Sequence, residues 1–290
     1  MTDAPSRFVR IDSHHHLWDP ARRDYPWFKG VAVLERPFGI DDLRPLLRAN
    51  DIDGAVLVQT LSDLDETREF LQIAAENDEV VGVVGWVDLL DPAIAATLAE
   101  LKSGPGGEYL VGIRHQIHDE TDPDWALQEQ VQLGFETIAE ANLVYDLLVK
   151  PVHLPAAITV ARDFPHLRFV LDHIAKPPIA SGSIEEWAAL MHEFAGLGNV
   201  ACKLSGMVTE AAADTWTPDD LRPYVNTALE VFGPDRLMFG SDWPVCLLAA
   251  SYDQVLETLR TVLADLGVAD EDALAGIFGR TATHWYGLNI

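Results

Sequence analysis

The sequence predicts an α/β fold, a (β/α)8 TIM barrel, on three observations. Short apolar runs rich in β-branched residues recur about eight times along 290 residues, as in a parallel sheet covered on both faces. Each run is followed by a stretch with apolar residues at helical spacing. Polar residues gather where the apolar runs end, the face on which such barrels place their chemistry. The length suits one barrel domain over residues 1–290. Hydrophobic residues make up 48% and charged residues 23%, an ordinary globular balance that buries a core without staples.

The strands are expected, in order, at "RFVRIDSHH", "DGAVLVQ", "VVGVVGWV", "LVGIRH", "LVYDLLVK", "LRFVLDH", "NVACKL" and "RLMFGSD". Between them the helical spacing falls on "DDLRPLLRAN", "DETREFLQIAAEN", "PAIAATLAELK", "ETIAEANL", "LPAAITVARDF", "IEEWAALMHEF", "DDLRPYVNTALEVF" and "YDQVLETLRTVLADL". Several open on Asp, Ser or a nearby Pro, as helix starts do. The tail "EDALAGIFGRTATHWYG" reads as an extra C-terminal helix on the outside of the barrel. Two segments are too long for plain connections: "LWDPARRDYPWFKGVAVLERPFGI" after the first strand and "QIHDETDPDWALQEQVQLGF" after the fourth. Long βα loops carry lids and substrate contacts.

Charge narrows the function classes. A formal net charge of −26 repels phosphate backbones and argues against nucleic-acid binding. No run approaches the roughly 20 apolar residues of a membrane span. The start "MTDAPSRFVR" lacks the apolar stretch of a secretory signal, and the two cysteines, Cys202 and Cys246, outline no disulfide framework. The expectation is a cytoplasmic protein, compatible with a homo-oligomer.

The polar strand ends form a set: His14, His15 and His16; Arg114 and His115; Lys150 with His153; Asp172 and His173; Lys203; and Asp242. Side chains two apart on a strand share a face, so His14 and His16 project together and His15 points away. If that pair faces the barrel axis, His173 and Asp242 complete a nitrogen-and-oxygen set suited to one Zn²⁺ ion. Such an ion lowers the pKa of water and polarises a carbonyl. Asp12 shares the parity of the pair but lies deeper, in an orienting position. Cys246 follows Asp242 with no base dedicated to it, and Cys202 reads as core. Trp18, Tyr25, Trp27 and Phe28 crowd the first long loop, where a sugar ring could stack.

"IDSHHHLWD", with "YPW", "GIRH", "DLLVKPVHLP", "VLDHIAKPPI", "KLSGM" and "FGSDWPVCLLAASY", resembles the amidohydrolase superfamily. Within it the set resembles the branch that includes L-fuconolactone, L-rhamnonolactone, pyrone-dicarboxylate and sulfomuconolactone hydrolases, from about residue 8 to the C-terminus. The resemblance implies a TIM barrel with its site at the strand ends. His14 and His16 match the strand-one pair, His173 the strand-six histidine, and Asp242 the strand-eight aspartate that handles the water proton. Members of the branch differ in whether they hold a metal. The implied activity is hydrolysis of a sugar lactone, a small-molecule substrate, by water attack with Asp242 as general base. His173, Arg114 and Lys203 are the expected electrophiles, and His115, His153, Trp27 and Trp243 the expected substrate contacts. Three alternatives stay open. One is a lactonase for pyrone dicarboxylates or muconolactones, polyanions that need several cations from among Arg114, Lys150, Lys176 and Lys203. The others are a metal-dependent decarboxylase and a non-catalytic sugar-binding barrel.

Overall fold

All eight apolar runs are strands. β1 (Ile11–His15), β2 (Gly54–Val58), β3 (Val80–Gly85), β4 (Leu110–His115), β5 (Val144–Leu147), β6 (Phe169–Leu171), β7 (Val200–Leu204) and β8 (Leu237–Phe239) pair in parallel, each with the next in sequence. The computed structural model describes residues 7–290, so the first six residues of the expected domain, including most of the stretch searched for a signal, lie outside it. Each expected helix is present within a few residues of its pattern, with one extension. Glu129–Glu140 begins seven residues before "ETIAEANL", so the second long loop is shorter than expected and holds two single turns, Ile117–Asp119 and Trp125–Leu127. Among the described residues no helix is long and apolar enough to cross a membrane, and both cysteines are free and buried.

Closure between β8 and β1 lies above the end of β8. The Asp242 N–H donates to the His14 carbonyl at 2.8 Å and the His16 N–H donates to the Trp243 carbonyl at 2.7 Å. This pairing seats Asp242 beside the histidine pair. Asp242 takes a left-handed backbone (φ 57°), a strain that the closure contacts hold in place.

The barrel interior is layered. Below, Ile11, Val56, Val84, Val144, Val170, Ala201 and Met238 form a hydrocarbon layer. The C-terminal tail corrects the expectation of an outer helix. Glu271–Ala275, a wide turn at Gly276–Arg280 and Thr281–Tyr286 bring Ala282, Trp285, Tyr286 and Leu288 into that same layer, so the tail plugs the lower mouth. The physical reason is apolar area: these side chains are almost fully buried there, and a solvent-facing site would leave Trp285 and Tyr286 wet.

Candidate active site

β1 carries its histidines through an irregularity. Its register against β2 shifts between Asp12 and His15, so Asp12 does not share the pair's surroundings. Its carboxylate accepts from the backbone N–H groups of His14 (3.1 Å) and Ser241 (2.9 Å) and from the Tyr252 hydroxyl (3.1 Å). Asp12 therefore ties the ends of β1 and β8 together. Burial pushes its carboxyl up to about 6, against those hydrogen bonds. His15 is buried away from the cluster, and neither ring nitrogen has a hydrogen-bond partner among the described residues.

His14, His16, His173 and Asp242 meet at the axis. Asp242 Oδ1 is 3.4 Å from His16 Nε2, 3.8 Å from His14 Nε2 and 3.9 Å from His173 Nε2. His14 Nε2 and His16 Nε2 are 3.2 Å apart. Close approach of backbone makes this possible. A Cβ at Gly240 would lie 2.7 Å from His14 Cβ, and one at Gly206 (φ 61°) would lie 2.6 Å from His173 Nδ1. His173 is aimed by four successive left-handed residues, His173 to Lys176 (φ 46–61°). That turn costs about 1–2 kcal/mol per residue. Burial of His173, Ile174 and Ala175, and the Trp187 indole donating to the Ile174 carbonyl at 2.8 Å, hold it.

The set fits a divalent metal. Three donor atoms, His14 Nε2, His16 Nε2 and Asp242 Oδ1, lie mutually 3.2–3.8 Å apart. Bonds of about 2.0 Å in tetrahedral geometry place ligand atoms about 3.3 Å apart. His16 Nδ1 donates to the Val58 carbonyl at 2.8 Å, which leaves its Nε2 lone pair free. Burial drives the His14 imidazole well below its usual range, with Lys203 as the next cause, and lowers His173 to about 4. Burial works against ionisation of Asp242, yet the His173 and His16 contacts outweigh it and hold that carboxyl below its ordinary value.

Beneath the cluster lies a sealed ion network. Lys203 Nζ donates to Asp146 Oδ2 (2.6 Å) and lies 3.0 Å from Asp172 Oδ1 and 3.1 Å from His14 Nδ1. Arg114 Nη1 donates to Asp172 Oδ2 at 2.9 Å. The Tyr286 hydroxyl, rising from the plug, is 2.8 Å from both Asp146 oxygens. Lys203, Asp146 and Asp172 are all fully buried. Lys203 therefore does not reach the cavity, contrary to its expected role as an electrophile facing substrate. A free ammonium at a strand end would face water; here two carboxylates compensate its burial.

A cavity of about 330 Å³ opens over His16, His173, Asp242 and Arg114. Its walls include Trp27, Gln116, His118, Lys176 and Glu210. Of the expected substrate contacts only Trp27 lines it. His115 stacks on Trp125 (4.4 Å) and uses both nitrogens, on Glu120 and on the Trp86 indole. His153 accepts from the Lys150 N–H at 3.2 Å, and Trp243 is buried edge-on against Phe38. The histidine that lines the cavity from the loop after β4 is His118, three residues past His115. Lys176 pairs with Glu210 across the wall at 2.7 Å. Lys150 donates to the His118 carbonyl and stays outside. The signal for Asp146 is the one carboxylate inside "LVYDLLVK", at the parity of Val144; nothing local marks Tyr286.

The chain has relatives among known proteins. The chain is 40% identical over 282 residues to an L-fucono-1,5-lactonase of Burkholderia ambifaria, covering 96% of this chain and 95% of that protein. A second L-fucono-1,5-lactonase, from Burkholderia multivorans, is 40% identical over 296 residues, covering 97% and 96%. The crystal structure of an amidohydrolase from Burkholderia multivorans with bound zinc superposes with a TM-score of 0.91 at 36% identity, over 97% of this chain and 100% of that one. A family model described as amidohydrolase matches residues 11–288, from the first residue of β1 to the last apolar residue of the plug. A parallel eight-stranded barrel with a histidine pair facing an aspartate, matched end to end in this way, belongs to the amidohydrolase family.

Proposed function

We propose that the protein hydrolyses a sugar lactone, L-fucono-1,5-lactone or a close aldonolactone, at the His14–His16–His173–Asp242 cluster. The observation that carries this reading is a carboxylate, Asp242, facing three imidazole nitrogens at 3.4–3.9 Å on the floor of a cavity. The substrate class comes from the two lactonases at 40% identity.

The charge of the cavity supports a neutral substrate over a pyrone dicarboxylate. Of the four cations weighed for a polyanion, Lys203 and Lys150 do not line the cavity. Arg114 and Lys176 do, and each is already paired with a carboxylate. A dianion would meet Asp242, Asp119 and Glu210 on the same walls.

The steps follow from the geometry. His16, His14 and Asp242 would hold the metal, for which zinc is the proposed ion. That ion supplies Lewis acidity toward the lactone carbonyl and toward water. The Asp242 carboxylate, ionised at neutral pH, takes a proton from the attacking water. The water oxygen bonds to the carbonyl carbon, and Arg114 and His173, which line the cavity, would donate to the developing oxyanion. The ring C–O bond then breaks, and the proton on Asp242 passes to the leaving alkoxide, giving the hydroxy acid. Trp27, exposed at the rim, offers a face for the sugar ring.

The test is Asp242→Asn assayed on a panel of aldonolactones by acid release. The expected result is a loss of about 10³-fold in kcat/KM, within the usual worth of a general base, with the circular dichroism spectrum unchanged. Wild-type protein that turns over no aldonolactone, or an Asn variant with wild-type rates, would overturn the reading.

A further inference from the structure

Lys176, in "VLDHIAKPPI", and Glu210, just past "KLSGM", form a part of the cavity wall that water attack does not use. Lys176 closes the run of left-handed residues that aims His173 (φ 49°), and Pro177 and Pro178 follow it. Facing it, Gly206 (φ 61°) opens the helical turn Met207–Glu210. That turn is held by the buried side chains of Met207 and Val208 and by Thr209 Oγ1, which donates to the Gly206 carbonyl at 2.8 Å. The two backbone turns that pack together at His173 thus also bring Lys176 Nζ to 2.7 Å from Glu210 Oε1.

That contact leaves hydrogen-bonding capacity unspent. An ammonium has three N–H bonds, and a carboxylate has two accepting oxygens. The contact to Oε1 is the one hydrogen bond of either side chain among the described residues, so two Lys176 N–H bonds and Glu210 Oε2 have no protein partner. Neither group is sealed: the side chains are 18% and 26% exposed, and both line the cavity over Asp242. A part-exposed ion pair adds little stability. It does offer the cavity a donor and an acceptor side by side with no net charge. An anion is repelled by Glu210 and a cation by Lys176, whereas hydroxyls donate and accept and so suit both. Hydroxyls on neighbouring ring carbons stand about one hydrogen-bond length apart, the spacing of the pair itself.

We propose that Lys176 and Glu210 are a specificity-determining pair that binds two neighbouring hydroxyls of the substrate. A Lys176 N–H donates to one hydroxyl oxygen, and the next hydroxyl donates to Glu210 Oε2. The inference rests on the lactonase reading and deepens it, because it names the substrate as a lactone that carries a vicinal diol. A site built to hydrogen-bond hydroxyls discriminates against an analogue that lacks one, since its own polar groups then lose their partners.

The test sets an aldonolactone against its monodeoxy analogues, each lacking one ring hydroxyl, with turnover followed by acid release. Wild type should prefer the parent in kcat/KM by about tenfold over each of two analogues deoxygenated at neighbouring carbons, the worth of one charge-assisted hydrogen bond apiece. Lys176→Met combined with Glu210→Met removes one charge of each sign and should reduce both preferences to under about threefold. A purely structural role would slow parent and analogues alike and leave the preferences standing. Preferences that survive in the double variant, or a wild type indifferent to every ring hydroxyl, overturn the inference while the lactonase reading stands. A wild type that opens no lactone overturns that reading, and this inference with it. If the double variant does not fold, Glu210→Ala decides: one of the two preferences should fall to under about threefold, and retention of both overturns the inference.

Discussion

Along the interior of one barrel, two residues of strand separate a hydrocarbon layer from a charged one. Val144 is followed at the same parity by Asp146, Val170 by Asp172, Ala201 by Lys203 and Gly112 by Arg114. The lower layer is non-directional: its stability scales with apolar area and tolerates swaps that keep volume. The upper layer is held by direction and balance. Two carboxylates, Asp146 and Asp172, face two cations, Lys203 and Arg114, and none of the four is more than 2% exposed. Breaking one buried pair leaves a charge uncompensated, whereas removing a methyl leaves only a small cavity. Tyr286 joins the regimes, its ring packed in the lower layer and its hydroxyl on Asp146.

That contrast can be broken at its strongest point by Lys203→Met alone. Two carboxylates lose their shared cation, and unfolding in urea should show a loss of about 3–5 kcal/mol. A loss under 1 kcal/mol would mean that the network is not the rigid part of the barrel. Acid attacks the buried titratable groups around that layer. Burial, with His16 nearby, lowers His15 to about 3, and burial lowers His173 to about 4. Both lie below the unfolded value near 6.5, so the unfolded chain binds more protons and stability falls as pH drops from about 6.5 toward 4. Asp12 and Asp146, each raised to about 6 by burial, act in the opposite direction over the lower part of that window, and His118, lowered to about 2 by burial, adds to the loss. The net loss should be on the order of 3 kcal/mol by pH 4, read as a falling melting midpoint. A midpoint flat across that range would contradict it.

The junction gives a smaller effect. Tyr286→Phe keeps the ring in the hydrocarbon layer and removes one donor from Asp146. A cost of about 2 kcal/mol is expected in equilibrium unfolding; a neutral result would place Tyr286 wholly in the lower regime. Outside both layers, Trp27→Ala should raise KM roughly fivefold, about 1 kcal/mol of lost stacking, with kcat and stability near wild type. A fall in kcat without a change in KM would move Trp27 from the rim to the chemistry.

The eight strands were readable because a strand buried on both faces must be apolar over a short span, and that pattern is local. The parity of His14 and His16 was readable for the same reason. Parity failed at Asp12, three residues earlier than the end of β1, because a register shift inside the strand is invisible in composition. His115, His118 and His153 are indistinguishable as letters near strand ends. Which one lines the cavity depends on the single turns after β4 and on where Trp86, Trp125 and Lys150 stand.

By itself, then, the sequence determined the strand order, the face that carries polar residues and the pairing of His14 with His16, all consequences of short-range periodicity. Tertiary structure alone decided that Asp12 turns away from that pair, that Lys203 is sealed beneath it and that the tail plugs the barrel. Asp146 and the Tyr286 hydroxyl that reaches it are 140 residues apart, and Lys203 and His14 are 189 apart. Contacts of that range exist only once the barrel closes. They are chosen by the balance of buried charge and apolar area across the whole interior, which no local stretch of sequence contains.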